Sequence, residues 1–339
     1  METKIFNQET IKEAGNLLKN GELVAFPTET VYGLGAIASN EEAVKNVYKV
    51  KGRPSDNPLI VHVASTKIDE WVADVPKVAR KLMERFWPGP LTLIFNTKPN
   101  VFPSVVTGGQ ETVAMRMPNQ KLALQLIKEA GFPIVGPSAN TSGKPSPTTA
   151  QHVSHDFFGK IAGIVADGET QIGVESTVLD LTDPRGLIIL RPGAVTRDEL
   201  QIVTDQKVWM SEEFTESDTS KAPKAPGMKY VHYSPSQPVV LMLENWAEKL
   251  AELQAENKKI GVLASDEQIA ELADYSGLTV FSLGSRTDEK IASQRLYAGL
   301  RYFDATDVAL ILAEGYPKEG MGIVFMNRLE KAASSIYPD

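Results

Sequence analysis

The chain has 339 residues, and at roughly 100–200 residues per domain this length predicts two domains. Hydrophobic residues make up 42% and charged residues 23%, which is the balance of an ordinary globular protein. The absence of cysteine excludes disulfides, thiolate metal ligands and a cysteine nucleophile within this chain, and the net charge of −8 argues against tight binding to a tRNA backbone.

Apolar and amphipathic runs alternate through the first 210 residues. Helical periodicity, with Pro and Gly as boundaries, predicts helices over residues 7–20, after Ser39, from Pro76 to Phe86 and over 122–130. Apolar runs of strand length occur at 23–26, 59–63, 91–95, 111–117, 161–166, 176–181 and 186–191. Ser39 and Glu42 have the spacing of a capping box. Strands outnumber helices, so we expect an α/β domain with a mixed, twisted sheet.

The composition changes near residue 211. Residues 211–237 are rich in Ser, Thr, Pro and charge, which is typical of a linker, yet their second half contains Lys, Tyr and His. Beyond residue 238, strands at 239–243, 259–264 and 308–313 and a helix at 246–256 predict a small Rossmann-like α/β domain. The expected boundaries are therefore 1–210, 211–237 and 238–339.

No targeting or membrane segment is evident. The first ten residues contain no apolar run, so no signal peptide is predicted. No apolar stretch approaches the ~20 residues that a membrane helix needs. We therefore expect a cytoplasmic protein without a membrane partner.

A glycine-containing segment resembles a dinucleotide fingerprint. Residues 33–38, GLGAIA, fit the loose pattern G-x-G-x-x-A. However, six residues separate this segment from the preceding predicted strand, and no acidic residue ends the next one. We interpret the glycines as a turn beside a site, which disfavours an NAD-dependent oxidoreductase.

Two further patterns are too incomplete to predict sites. Residues 143–144, GK, could end a P-loop, but Ser138 and Pro145 stand where that motif needs Gly and Ser or Thr. His152 and His155 could share a helix face, but no third ligand is apparent nearby. A solvated histidine pair is favoured, and no protein metal site is predicted.

Three polar clusters follow predicted strands, where open α/β sheets bind ligands. They are PTETVYGLG at 27–35, KGRPSDNP at 51–58 and GPSANTSG at 136–143. In the second cluster, Lys51 carries a compact ammonium charge and Arg53 a planar guanidinium. This pair could bind a polyphosphate, or it could be an ordinary basic pair on the surface.

The third cluster and two arginines leave alternatives open. Ser138 and Asn140 alternate, so in an extended segment they face the same way and suit phosphate or ribose oxygens, although the segment also reads as a turn. Arg116 and Arg191 each lie in an apolar strand and need an anionic partner, from either the protein or a substrate. Residues 175–177, EST, are similarly ambiguous.

Taken in order, these segments resemble one family. PTETVYGLG, K-x-R-P-x-x-NPLIVH, GPSAN-SG, G-ESTV-D and LRPG closely resemble the motifs of the YrdC-type family. APGMKYVHYSP and the Rossmann-like tail resemble its longer, two-domain members, the threonylcarbamoyl-AMP synthases. The resemblance covers essentially the whole chain.

The resemblance implies a fold and a reaction. The fold is a YrdC-type twisted mixed sheet with helices around a cation-lined concave site, followed by the Rossmann-like domain. The reaction converts L-threonine, bicarbonate and ATP, with Mg²⁺ expected on the phosphates, to threonylcarbamoyl-AMP, pyrophosphate and water. A separate transferase then moves the threonylcarbamoyl group to the tRNA adenosine next to the anticodon, so no tight direct binding of tRNA is expected.

The resemblance also implies the site residues. Lys51 and Arg53 are the expected catalytic pair. The expected threonine contacts are Thr30, His62, Arg116, Ser138 and Ser176. The expected ATP contacts are Lys51, Arg53, Asn57, Thr112, Ser138, Asn140, Thr148, Arg191, Lys229, Tyr230 and His232. The last three belong to the linker-like segment, which is expected to fold over the site.

Two other functions compete with this one. A carbamoyl-transferring maturation factor resembles a larger protein with cysteine-rich metal fingers, and the lack of cysteine argues against it. A non-catalytic RNA-binding module would need a broad basic face, which the net charge disfavours.

Overall fold

The protein divides into two compact units. A computed structural model describes residues 2–214, 224 and 233–338. The first unit contains the described residues that fall within Met1–Ser142, Pro147–Gln171 and Glu175–Lys229. The second contains those within Gly143–Ser146, Ile172–Val174 and Tyr230–Asp339. Most of the linker-like segment, including Lys229, Tyr230 and His232, lies outside the described residues.

The first unit is built on one mixed sheet, in the order β1-β8-β2-β3-β7-β4-β6-β5-β9-β10-β11. Its strands are β1 Lys4–Phe6, β2 Val24–Phe26, β3 Gly33–Ile37, β4 Ile60–His62, β5 Leu91–Asn96, β6 Thr112–Arg116, β7 Ile134–Val135, β8 Gly163–Val165, β9 Thr177–Asp180, β10 Leu187–Arg191 and β11 Val208–Met210. Parallel pairs, such as β4 with β6, and antiparallel pairs, such as β5 with β6, occur in the same sheet. The predicted mixed α/β fold is confirmed.

Helices cover this sheet with amphipathic faces. They are α1 Ile11–Lys19, α2 Glu41–Lys51, α3 Lys77–Phe86, α4 Ser104–Thr107, α5 Lys121–Ala130, α6 Ala150–Phe157 and α7 Arg197–Thr204. In α2, Val44, Val47 and Tyr48 are buried at helical spacing, as the sequence pattern predicts. Gly52 then ends α2 in the left-handed conformation, which starts the K-x-R loop directly after Lys51.

Two local predictions are wrong. Asn40, not Ser39, caps α2, because its side chain accepts the Ala43 amide. The glycines of residues 33–38 do not form a turn but strand β3, which pairs antiparallel with β2. A Cβ at Gly35 would lie 2.8 Å from the carbonyl oxygen of Val24, so this strand needs glycine in order to approach its neighbour. The segment therefore opens no helix and is not a dinucleotide fingerprint.

The second unit is a five-stranded parallel sheet in the order β14-β13-β15-β12-β16. Its strands are β12 Val239–Met242, β13 Ile260–Ala264, β14 Leu278–Ser282, β15 Leu310–Glu314 and β16 Ser335–Tyr337. Its helices are α8 Trp246–Ala255, α9 Asp266–Glu271, α10 Glu289–Asp304 and α11 Gly322–Ala332. The predicted Rossmann-like architecture is confirmed, although sequence reasoning missed β14, β16 and the last three helices.

Within the described residues, no helix has both the length and the apolar composition required to cross a bilayer.

Candidate active site

The PTETVYGLG segment links β2 to β3 through a tight hydroxyl turn. Thr28 Oγ1 accepts the amide hydrogens of Thr30 and Val31 and donates to the carbonyl of Val31 at 2.6 Å. Thr30 Oγ1 lies 2.8 Å from Thr28 Oγ1, and both side chains are buried. The turn is thus held by its own side chains, and it presents Glu29 and Thr30 to the neighbouring strands.

Arg116, at the end of β6, meets this turn. Its Nη1 donates to Thr30 Oγ1 at 2.9 Å and its Nε donates to the carbonyl of Gly89 at 3.2 Å. Its Nη2 lies 2.6 Å from Glu29 Oε2, with both side chains about 95% buried. The anion that Arg116 requires is thus supplied by the protein. Nη2 makes no aligned hydrogen bond to any described residue, so a substrate carboxylate could still be bound there.

His62 lies beside Arg116, because β4 and β6 are parallel with these two residues in register. The ring is buried and packs edge-on against Phe26. Burial, and then the positive charge of Arg116, lower the pKa of His62 to about 3. Its Nδ1 has no hydrogen-bond partner among the described residues. His62 is therefore neutral, and its Nδ1 can accept a hydrogen bond from a ligand or donate one to it.

The low pKa of His62 predicts a specific loss of stability in acid. The unfolded chain binds a proton at His62 below about pH 6.5, whereas the folded chain does not. The free energy of unfolding should therefore fall by up to about 1.4 kcal/mol per pH unit from pH 6.5 towards pH 3. Urea denaturation at pH 7.5 and 5.0 measures this, and the same pH dependence in His62→Gln would contradict it.

Lys51 organises the third cluster. Its ammonium is almost completely buried and donates to the carbonyl oxygens of Ser138 and Asn140, each at 2.5 Å. The amide of Asn140 also donates to the carbonyl of Ser138 at 3.0 Å, so the segment is a tight turn. Of the two conformations that the sequence left open, extended or turn, the structure therefore has the turn. The K-x-R and S-x-N motifs instead form one unit, in which the lysine holds the turn.

The K-x-R loop is fixed through the backbone of Asn57. The Tyr48 hydroxyl lies 3.0 Å from the carbonyl of Asn57, and Arg53 Nη2 donates to the carbonyl of Pro58 at 3.2 Å. The Asn57 side chain is buried, and its Oδ1 has no hydrogen-bond partner among the described residues. This oxygen could accept a hydrogen bond from a ligand.

Arg191 and Ser176 also come together, as the family resemblance implies. Arg191 Nε donates to the carbonyl of Ser176 at 3.1 Å and its Nη2 donates to Ser176 Oγ at 3.2 Å. Ser176 Oγ lies 2.8 Å from Thr92 Oγ1 of β5. The adjacent Thr177 amide donates to the carbonyl of Pro90. Arg116 contacts Gly89 in the same loop, so this pair lies next to the Arg116 side of the site.

The remaining predicted contacts are more scattered. Thr112 begins β6 opposite Asn96, so it lies about 13 Å along the strand from Arg116. Thr148 is buried, and its amide donates to Nδ1 of His152. Lys229, Tyr230 and His232 fall outside the described residues. One described linker residue, Lys224, lies 2.7 Å from a buried carboxylate oxygen of Asp180 in β9.

A glycine allows the third cluster to approach His62. The Gly136 amide donates to the carbonyl of Ile60, and a Cβ at this position would lie 2.6 Å from His62 Nδ1 and 2.8 Å from Phe26 Cζ. We expect Gly136→Ala to displace the imidazole and to cost about 1–3 kcal/mol in unfolding free energy. Urea denaturation and threonine titration measure the two effects. A variant with wild-type stability and wild-type threonine affinity would contradict this prediction.

The described residues contain no group of three or more His, Cys, Asp or Glu side chains that could hold a metal ion.

Comparison with known proteins identifies the family. A family model described as telomere recombination, covering Sua5, YciO and YrdC proteins, matches residues 16–193. A second, described as threonylcarbamoyl-AMP synthase, C-terminal domain, matches residues 195–334. The chain belongs to the threonylcarbamoyl-AMP synthase family. It is the long, two-domain form of the YrdC type, and it is a nucleotidyltransferase.

Individual relatives cover the synthase almost completely. The threonylcarbamoyl-AMP synthase of Bacillus subtilis is 47% identical over 96% of this chain and 94% of its own. That of Pyrococcus abyssi is 46% identical over 95% and 94%. The crystal structure of P. abyssi Sua5 complexed with L-threonine has a TM-score of 0.88 at 43% identity, covering 98% of this chain and 99% of that one.

Some residues of this site escaped sequence reasoning. Glu29 was noted within PTETVYGLG, but its pairing with Arg116 was not predicted. No sequence pattern predicts the contact of the Tyr48 hydroxyl with Asn57 or that of Thr92 with Ser176. The sequence contains one indication of the pair that Glu29 forms with Arg116. Arg116 lies in an apolar strand and therefore needs an anionic partner. Nothing in the sequence indicates which carboxylate supplies it.

Proposed function

We propose that this synthase condenses L-threonine, bicarbonate and ATP to threonylcarbamoyl-AMP, with release of pyrophosphate and water. The observation that carries the proposal is the similarity, over 98% of the chain, to a protein crystallised with L-threonine. The positions of Arg116, Thr30 and His62 support it, because they bring together a guanidinium, a hydroxyl and an imidazole, a set that suits a zwitterionic amino acid. ATP would enter as its Mg²⁺ complex, with the metal held by the phosphates.

At the threonine end, Arg116 would bind the carboxylate through the Nη2 group that has no aligned protein acceptor. The ammonium of the same zwitterion would then face Glu29, whose carboxylate already contacts this guanidinium. The neutral His62 would contribute a hydrogen bond without adding charge. This arrangement orients the amino group, which is the nucleophile towards bicarbonate or CO₂.

At the nucleotide end, Lys51 and Arg53 would neutralise the phosphates. The carbamate oxygen formed on threonine attacks the α-phosphate in line, and pyrophosphate leaves. Such a step needs little covalent work from the protein, so positioning and charge stabilisation should dominate. Lys51 also holds the Ser138–Asn140 turn. The same side chain would therefore both neutralise phosphate charge and fix the shape of the nucleotide site.

The proposal is tested by pyrophosphate release from MgATP, measured with and without L-threonine and with and without added bicarbonate. We expect release to need both, and Arg53→Ala to abolish it. Arg80→Ala, in an exposed ion pair with Asp69, is the matched control. Release that is independent of threonine in folded, ATP-binding protein would refute the substrate assignment.

We further propose that a separate tRNA threonylcarbamoyl transferase uses the product, and that the synthase itself does not grip tRNA. The net charge of −8 supports this, since phosphate-backbone binding relies on clustered Lys and Arg. Filter binding with tRNA at several salt concentrations is the test. Tight binding that weakens steeply with salt would contradict it. The folding of residues 211–237 over the site, and the cytoplasmic location, stay predictions.

A further inference from the structure

A polar cleft opens on the far side of Glu29. It is partly open to solvent and is lined by residues that include Glu29, Tyr32, Gln120, Asp167, Glu169 and Thr170. Three of its lining residues carry carboxylates, and the described lining residues include no Lys or Arg. The expected contacts of the substrates do not include this cleft, and its charge would repel ATP, bicarbonate and pyrophosphate.

Glu29 stands between this cleft and the proposed threonine site. Its Oε2 contacts Arg116 at 2.6 Å, and its side chain is only 4% exposed. Its Oε1 has no hydrogen-bond partner among the described residues, although the group also lines the cleft. A buried carboxylate oxygen without a donor is costly unless a ligand or water supplies one. Oε1 is thus a buried acceptor without a protein donor, on a residue that lines the cleft and also contacts Arg116.

The proposed reaction requires a proton acceptor at this place. An amino acid ammonium and bicarbonate give a carbamate, one water and one free proton: R–NH₃⁺ + HCO₃⁻ → R–NH–COO⁻ + H₂O + H⁺. The N–C bond forms, a C–O bond to the departing hydroxyl breaks, and this hydroxyl leaves as water with one amine proton. The last proton must therefore pass to an acceptor near the amino group, beside the permanent charge of Arg116.

The other titratable groups nearby do not suit this role. The pKa of His62, from β4, is lowered to about 3 by burial and by Arg116, so the ring accepts protons poorly. Burial raises the pKa of Tyr32, whose hydroxyl donates to the carbonyl of Gly168 and stays protonated. Asp167 and Glu169 are exposed at the cleft, and Arg116 is a permanent cation.

We propose that Glu29 accepts the proton which the threonine amino group releases on carbamate formation, and that the acidic cleft passes this proton to solvent. This inference rests on the proposed function. Glu29 is placed for the task because Arg116, the proposed partner of the threonine carboxylate, also holds Glu29 Oε2, while Oε1 has no protein donor. Positioned general bases contribute about 10²–10⁴-fold in rate.

The test compares wild type with Glu29→Gln, which keeps the shape and removes the proton acceptor. At pH 7, threonine- and bicarbonate-dependent pyrophosphate release should fall about 100-fold or more. The rate of the variant should then rise about tenfold per pH unit up to pH ~9, because the bound amine must lose its proton to solvent before it can attack. Threonine and ATP affinities, measured by calorimetry, should change by less than about tenfold. Glu84→Gln, an exposed carboxylate of α3, is the matched control.

A purely structural role for Glu29 would lower threonine affinity and leave the shape of the pH profile unchanged, which would overturn the inference. If Glu29→Gln does not fold, Glu29→Ala with added formate replaces it. Formate should restore the rate through the cleft, and a failure of rescue in folded protein overturns the inference. Wild type without threonine-dependent release would instead overturn the proposed function, so the two failures are distinguishable.

Discussion

Lys51→Met should abolish most of the activity and also weaken the fold. The ammonium holds the carbonyls of Ser138 and Asn140, and the substitution leaves these buried acceptors unpaired. An unpaired buried acceptor costs about 1–3 kcal/mol in unfolding free energy. Pyrophosphate release should fall by about 10²–10³-fold, the usual effect of removing one group that stabilises a developing negative charge. Urea denaturation and the pyrophosphate assay measure the two effects separately.

The matched control for this prediction is Lys49→Met. Lys49 lies two residues earlier on the same helix and is exposed. Its substitution therefore removes the same charge without breaking a buried contact. We expect wild-type activity and a change in stability below about 0.5 kcal/mol. If Lys51→Met kept activity within about threefold of wild type, the proposed coupling of lysine, turn and phosphate site would be wrong.

Arg116→Gln should have the second large effect, on both stability and threonine binding. The change leaves the buried Glu29 carboxylate without its cation and removes the donor to Thr30 Oγ1. Breaking a buried ion pair by removing one partner costs about 3–5 kcal/mol. Threonine affinity should fall by about 100-fold or more, because a charged contact to its carboxylate is lost. Calorimetric titration should show ATP binding that is nearly unchanged.

A double variant separates the two causes. Arg116→Gln combined with Glu29→Gln should recover part of the lost stability, since no uncompensated buried charge is left. It should not recover threonine affinity. Arg80→Gln, which breaks an exposed pair with Asp69, serves as the control and should cost less than about 1 kcal/mol. A double variant as unstable as Arg116→Gln alone would show that the ion pair does not cause the effect.

Much of the fold was predictable because local chemistry decides it. The buried residues of α2 recur at helical spacing, and Gly52 follows the helix directly and ends it. Both features are specified by residues that are close together in the sequence. The same holds for strands such as Leu91–Asn96, which are continuous apolar runs. Strand β3 was missed because its glycines look like a turn. They form a strand because Gly35 must approach the carbonyl of Val24 on a partner strand.

The candidate site, like the fold, was predictable from the sequence only in part. The sequence by itself determined the motifs, their order, the family they resemble and the residue types that we expect to meet phosphate and threonine, because each motif is a short continuous segment. Only the tertiary structure decided that Lys51 holds the Ser138–Asn140 turn, 87 residues away, and that Glu29 is the carboxylate which Arg116 contacts. These pairings depend on which strands become neighbours in the sheet. Strand order is fixed by the packing of the whole domain, so no local pattern specifies it.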